Sequence, residues 1–199
     1  MLGLNDYTWD HLGTLSSKAY ICGHCGNDIT SEKGWGGRNK YSGVYEVSIY
    51  VCHHCNRPTL FIQNGDQTPG GIMGTEVQNV GDKSVYDLYN EARKCTRENA
   101  FTAAVLCCRK LLMHIAVSKG DEPGKTFIEY VQFLSEKNYI PPDAKDWVDH
   151  IRKKGNEANH EISIMDKESA EDLIIFSGML LKIIYEFPAN IKSKISKPV

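Results

Sequence analysis

From Ser84 onward, apolar residues recur at the three-to-four spacing of helices. Val85, Leu88, Tyr89, Ala92 and Cys95 form one stripe, and Phe101, Ala104, Val105, Cys108, Leu111, Leu112 and Ile115 a second, which predicts two amphipathic helices. A third is expected from about Thr126 to Lys137, with Phe127, Tyr130, Val131 and Leu134 facing inward. Pro141-Pro142-Asp143 opens a fourth, since proline suits a first helical turn. The fifth starts at Asp166, an N-cap residue type. From Leu173 to Ile184 it has almost no polar face, so it is expected to be the central, most buried helix. Pro188 is expected to stop or kink it, and the tail from Lys192 to fray.

The first third of the chain follows another period. Val44 to Val51 largely alternates apolar with polar or amphipathic side chains, as a half-buried strand does, and Thr59 to Ile62 reads as its hairpin partner. Trp35-Gly-Gly-Arg-Asn is expected to be an exposed loop. Of 17 glycines, 13 precede residue 82, so the backbone character changes near Gly81. Gln63 to Gly81, with Asn-Gly-Asp, Pro-Gly-Gly and Gly-Asp, reads as an irregular connector. The expected fold is therefore α+β, with a small β ribbon over 1–62, a linker over 63–83 and an all-helical bundle over 84–199.

Cysteine spacing supplies the sharpest chemistry. Cys22-Gly-His-Cys25 and Cys52-His-His-Cys55 are two C-x-x-C knuckles separated by 26 residues. Tetrahedral zinc needs two such hairpin corners meeting at one ion. Gly26 and Asn56 sit at equivalent places and tolerate positive φ, which lets each knuckle fold back with its N–H groups toward sulfur. A redox dithiol competes less well, because it needs one pair at a strand-to-helix corner. Four thiolates complete a closed structural Zn²⁺ site, so the nearby His24, His53 and His54 are expected to be exposed knuckle residues. Cys95, Cys107 and Cys108 fall in helical pattern and read as small buried or half-buried side chains.

Charge adds little. Lys and Arg number 23 against 25 Asp and Glu, so no overall field draws the chain to nucleic acid or to a membrane. Leu173 to Ile184 is too short and too interrupted to span a bilayer, and the start has neither a basic nor an apolar leader segment. A cytoplasmic protein with no membrane association and no small-molecule cofactor is expected.

On the fourth helix, Arg152, Asn156 and His160 follow at i, i+4 and i+8. That spacing aligns a cation, an amide and an imidazole along one flank, where they can line a phosphate-binding groove or move a proton. A solvated flank, with Arg152 paired to a carboxylate and His160 at the helix end, is the plainer reading. Arg109, beside the second stripe, is a further phosphate-binding candidate, or a snorkelling surface arginine.

Tyr89-Asn-Glu-Ala-Arg-Lys-Cys95, Phe101-Thr-Ala-Ala-Val-Leu-Cys-Cys-Arg109-Lys, the run Trp147 to His160 and Ser169-Ala-Glu-Asp-Leu resemble a bacterial and phage domain of unknown function. That family occurs alone or fused to type I restriction-enzyme subunits, often behind a cysteine-pair ribbon. The resemblance spans about residues 84 to 188. It implies a HEPN-like helical bundle that forms a homodimer, and in nuclease members of that superfamily Arg-polar-x-x-x-His motifs from two chains share an RNA-cleaving cleft. Asn156 and His160 match the polar residue and the histidine, but Gly155 stands at the arginine position and Arg152 lies almost a turn earlier. Met113 stands where relatives usually carry a glutamate. The implied function is a non-catalytic or weakly catalytic module, acting through dimerisation and protein or RNA contacts in phage–host conflict or restriction-linked processes. The alternatives are a metal-independent ribonuclease using Arg152 and His160 at a dimer cleft, and a DNA-associated accessory protein using Arg38, Lys40 and Arg57 on the ribbon.

Overall fold

In the computed structural model, which describes residues 7–12, 14–141, 147–151 and 164–195, the chain is α+β and divides into two units, Met1–Ile72 and Met73–Val199. The first holds seven described strands: β1 Tyr7–Leu12, β2 Lys18–Ile21, β3 Asp28–Ser31, β4 Gly34–Asn39, β5 Tyr45–Val51, β6 Pro58–Phe61 and β7 Gln67–Thr68. They form a five-stranded sheet in the order β1-β4-β5-β6-β7 and a separate β2-β3 hairpin, all antiparallel. β5 is a strand as expected, but its two buried residues, Val47 and Tyr50, stand three apart and so lie on opposite faces of the sheet rather than alternating along one, and β6 is its partner with Val51 opposite Pro58.

Trp35-Gly-Gly-Arg-Asn is not a loop. It lies in β4, between β1 and β5, because its glycines serve close approach rather than turning. A Cβ on Gly34 would sit 1.8 Å from the Ile49 carbonyl oxygen, and one on Gly37 would sit 2.2 Å from Cγ2 of Val47. A sequence rich in glycine thus permits a central strand whose neighbours press on it. A register shift between Gly37 and Arg38 marks where the pairing bends. Between the two sheets Tyr20, Tyr50 and Phe61 form an aromatic cluster, with Tyr20 and Phe61 centroids 5.1 Å apart and edge-on.

The expected connector over 63–81 also carries structure. Residues 67 and 68 form β7 against β6, whereas Met73 and Val77 are buried in the core of the helical unit. Few large apolar residues lie in this segment, and those few are the ones that anchor it.

The helical unit contains α1 Lys83–Arg97, α2 Phe101–Ser118, α3 Phe127–Glu136, a fourth helix α4 described over 147–151, α5 Lys167–Leu181, a π-helical turn Lys182–Glu186 and α6 Phe187–Ile195. Asp82 caps α1, and Asp166 caps α5 by accepting from the Ser169 N–H at 2.8 Å. Tyr89, Ala92, Ala104, Cys108, Leu111, Leu112, Ile115, Leu173, Ile174, Phe176 and Leu180 fill the core. α5 is less uniformly buried than its composition suggests, because Ile175 is 47% exposed and Met179 half-buried. Pro188 does not end the helix. It sits at the second position of α6, behind the π turn, whose i→i+5 bonding accommodates a residue without an N–H. Leu173 to Ile184 consequently lies within a continuous helix from Lys167 to Ile195, which, like α2, is long and apolar enough by length and composition to cross a membrane. The buried faces of both helices belong to the core.

Candidate metal centre

Each cysteine pair occupies the six-residue connection of a hairpin, 22–27 between β2 and β3 and 52–57 between β5 and β6. The connections are built alike. Cys22 N–H donates to the Asn27 carbonyl at 2.9 Å and Gly26 N–H to the Cys22 carbonyl at 2.8 Å; Cys52 N–H donates to Arg57 at 3.1 Å and Asn56 N–H to Cys52 at 2.8 Å. Gly26 and Asn56 carry φ of 73° and 56°. That left-handed step turns each chain back, so that both of its cysteines point the same way.

The four Sγ atoms lie within 4.8 Å of one another, with Cys22 and Cys55 3.7 Å apart and Cys25 and Cys52 3.8 Å apart. Zinc–sulfur bonds of about 2.3 Å in a tetrahedron set sulfurs about 3.8 Å apart. The donor set therefore fits a tetrahedral dication such as zinc, held by Cys22, Cys25, Cys52 and Cys55. His24 N–H reaches the Cys22 sulfur at 3.4 Å, and the Asn27 side-chain amide reaches the Cys25 sulfur at 3.4 Å. These donors favour thiolate. Burial pushes the Cys22 thiol up to about 12. Burial also acts to raise Cys25, but the Asn27 backbone and side-chain amides and the Cys22 and Cys55 thiols outweigh it and bring that thiol down to about 6. A dication takes all four as thiolates and displaces their protons, so its affinity rises with pH.

His24 is not among the clustered donor groups, and its Nε2 lies 2.9 Å from the Pro58 carbonyl oxygen. His53 and His54 are exposed. Arg38, a candidate DNA contact, is paired with Asp10 at 2.7 Å and lies over the Tyr45 ring. Arg57 and Lys40 are both exposed. Cys95 and Cys107 are half-buried and Cys108 is buried, each remote in sequence from the cluster.

The helical unit supplies the remaining comparison. A family profile described as a domain of unknown function (DUF4145) matches residues 90–197. The chain belongs to the DUF4145 family. The match starts within α1 and ends beyond α6, so the four cysteines precede the DUF4145 region. None of the curated proteins and none of the solved structures compared matches the chain.

Within the DUF4145 region, Arg152, Asn156 and His160 lie outside the described residues, as does Gly155. Arg109 on α2 is only 4% exposed, so it is neither a snorkelling surface residue nor open to a large ligand. Its guanidinium lies 4.6 Å from the Phe127 ring centroid, its Nη1 has no hydrogen-bond partner among the described residues, and burial lowers its pKa. Sequence reasoning missed one polar pair. His150 on α4 places Nε2 2.7 Å from Oδ2 of Asp172 on α5, a carboxylate-oriented imidazole whose members are 22 residues apart. No spacing rule within one element reveals such a pair. Also unforeseen is a cleft of about 570 Å³ on the outer face of the five-stranded sheet, lined by Trp9, Trp35, Ile49 and Leu60. β1 was not anticipated and β4 was read as a loop, so nothing in the sequence reading set the two tryptophans side by side.

Proposed function

We propose that the chain is a zinc-ribbon plus HEPN-like module that binds rather than cuts, dimerising through its helical unit and contacting protein or RNA in phage–host conflict or restriction-linked processes. The observation that carries this reading is the contrast between a metal site closed by four thiolates and an open aromatic cleft. A fourth thiolate leaves no position for a metal-bound water. The cleft offers what a contact surface needs: Trp9 and Trp35 on adjacent strands, and the His11 ring 5.4 Å from that of Trp35. Indole faces stack on unpaired bases without regard to sequence, and also take apolar side chains of a partner protein.

The charge around the cleft limits affinity. Residues 1–72 carry five Lys and Arg against six Asp and Glu, so RNA is held by stacking with little phosphate neutralisation. The Arg38–Asp10 pair weighs against duplex DNA for the same reason.

The ribonuclease reading keeps its basis in the order Arg152, Asn156, His160. In sequence that arginine stands three residues before the position the nuclease motif requires, which weighs against the sub-ångström placement that a transition state tolerates. Incubating mixed-sequence single-stranded RNA with wild type and with His160→Ala, without divalent metal, tests both. The expected result is intact RNA with weak quenching of tryptophan emission that Trp35→Ala removes. Cleavage by wild type that disappears in His160→Ala overturns the binding reading in favour of the enzyme.

A further inference from the structure

Along the continuous helix, Ile175, Met179, Ile183, Phe187, Ile191 and Ile195 recur at every fourth position. In a straight α-helix such a row drifts by about 40° per step. The π turn at Lys182–Glu186 advances less per residue and pulls the row back onto one face. Ile175 is 47% exposed, Phe187 51%, Ile191 57% and Ile195 78%, with Met179 and Ile183 half-buried. The row spans 20 residues, about 30 Å of helix.

α6 buries none of its own residues. The ties of α6 and the π turn to the rest of the unit include the Gln78 N–H to Glu186 at 2.8 Å and the Asn79 amide to Asn190 at 3.2 Å, both from one side. A nine-residue helix has little stability of its own in water, and an amphipathic one is held by burying its apolar face. The face carrying Phe187, Ile191 and Ile195 is the one left to solvent.

We infer that a second copy of this chain docks antiparallel along this face, with the twofold axis near Ile183. The inference rests on the dimeric reading above and names its surface. Charge selects the occupant and its direction. Glu171 and then Lys167 continue the row toward the N-terminus, where Glu168, Glu171 and Asp172 outweigh that one lysine, and Lys192 and Lys194 flank its C-terminal end. A parallel copy sets acid against acid and base against base; an antiparallel copy sets the lysines beside Glu171 and Asp172. Shape agrees with self-association. Ile175, Met179, Ile183 and Phe187 border a groove of about 380 Å³ next to the protruding Phe187 and Ile191. One surface thus carries both knob and hole, as a twofold interface requires. About Ile183, residue 175 faces 191 and residue 179 faces 187, so the second copy's Phe187 and Ile191 enter the groove.

The full chain tests this by light scattering and sedimentation, with circular dichroism to verify folding. Wild type is expected to be a dimer of 22.4 kDa chains, and Ile191→Asp a folded monomer, its dissociation constant raised about a hundredfold. Lys194→Glu and Glu171→Lys each weaken the dimer, and the two together restore it, which only antiparallel pairing allows. A wild-type dimer indifferent to Ile191→Asp and to the charge exchange overturns the face while leaving dimerisation standing. A wild-type monomer overturns both, and a chain that floats with phosphatidylcholine–phosphatidylserine vesicles through Ile191 overturns the face.

Discussion

Gly26 and Asn56 perform one task with two residue types, and their chemistry is legible in sequence because few residues accept a φ near +60°. Gly34 and Gly37 are as conspicuous in sequence, but their role depends on Ile49 and Val47, which approach them across a sheet. A residue's own conformational preference is therefore readable, whereas the space around it is not. Arg109 makes the same point for a charge. Its position beside an apolar stripe allowed a surface role, yet it is buried against Phe127 with Nη1 unpaired. Burying a guanidinium whose Nη1 has no hydrogen-bond partner among the described residues costs more than its contact with one ring returns. Arg109→Met, which keeps most of the volume, is expected to raise stability by about 1–3 kcal/mol. The urea midpoint measures it, and a lower midpoint than wild type assigns the guanidinium a partner it needs.

At the scale of elements, helices were more legible than strands, since a helix closes its hydrogen bonds locally and writes its buried face into one stretch of sequence. α3 is an example: Thr126 accepts from the Glu129 N–H, and the Glu129 carboxylate accepts from the Thr126 N–H at 2.7 Å. The hydrogen bond from the Thr126 hydroxyl, then that from its backbone, holds the Glu129 carboxyl below its ordinary 4.5. A depressed acid stabilises the fold above its unfolded pKa, and that contribution is lost as pH falls through the folded value. Thr126→Ala is expected to cost about 1 kcal/mol at neutral pH. The gap from wild type should narrow below pH 4.5, where Glu129 takes up its proton. Denaturant titrations at the two pH values check this, and a gap that stays constant shows that the cap acts without the carboxylate. Pro188 shows the limit of local reading. Proline in a helix predicts a break, but the π turn before it is a feature of the folded backbone with no signature in residue type.

At the scale of the whole molecule, each unit has its own core, Tyr20, Tyr50 and Phe61 in one and the residues around Leu111 and Leu173 in the other. The ribbon's small core is completed by Cys22 and Cys52, so metal binding and folding are coupled there. About one zinc per chain is expected, by analogy with other four-cysteine ribbons. Chelation or Cys52→Ser should abolish strand signals from Lys18 to Phe61 while the helical circular dichroism persists. Elemental analysis and protease mapping measure both, and a ribbon that stays protected without metal removes the metal's structural role. The sequence by itself determined the four clustered cysteines, the helical stripes, two of the strands and the change of character near Gly81, because each rests on spacing within a short stretch of chain. Only the tertiary structure decided that β4 is a strand under β1, that Trp9 and Trp35 share a cleft, that His150 meets Asp172, and that Arg109 is enclosed. Those facts depend on which distant segments the core brings together, and a single chain read in order contains no term for that.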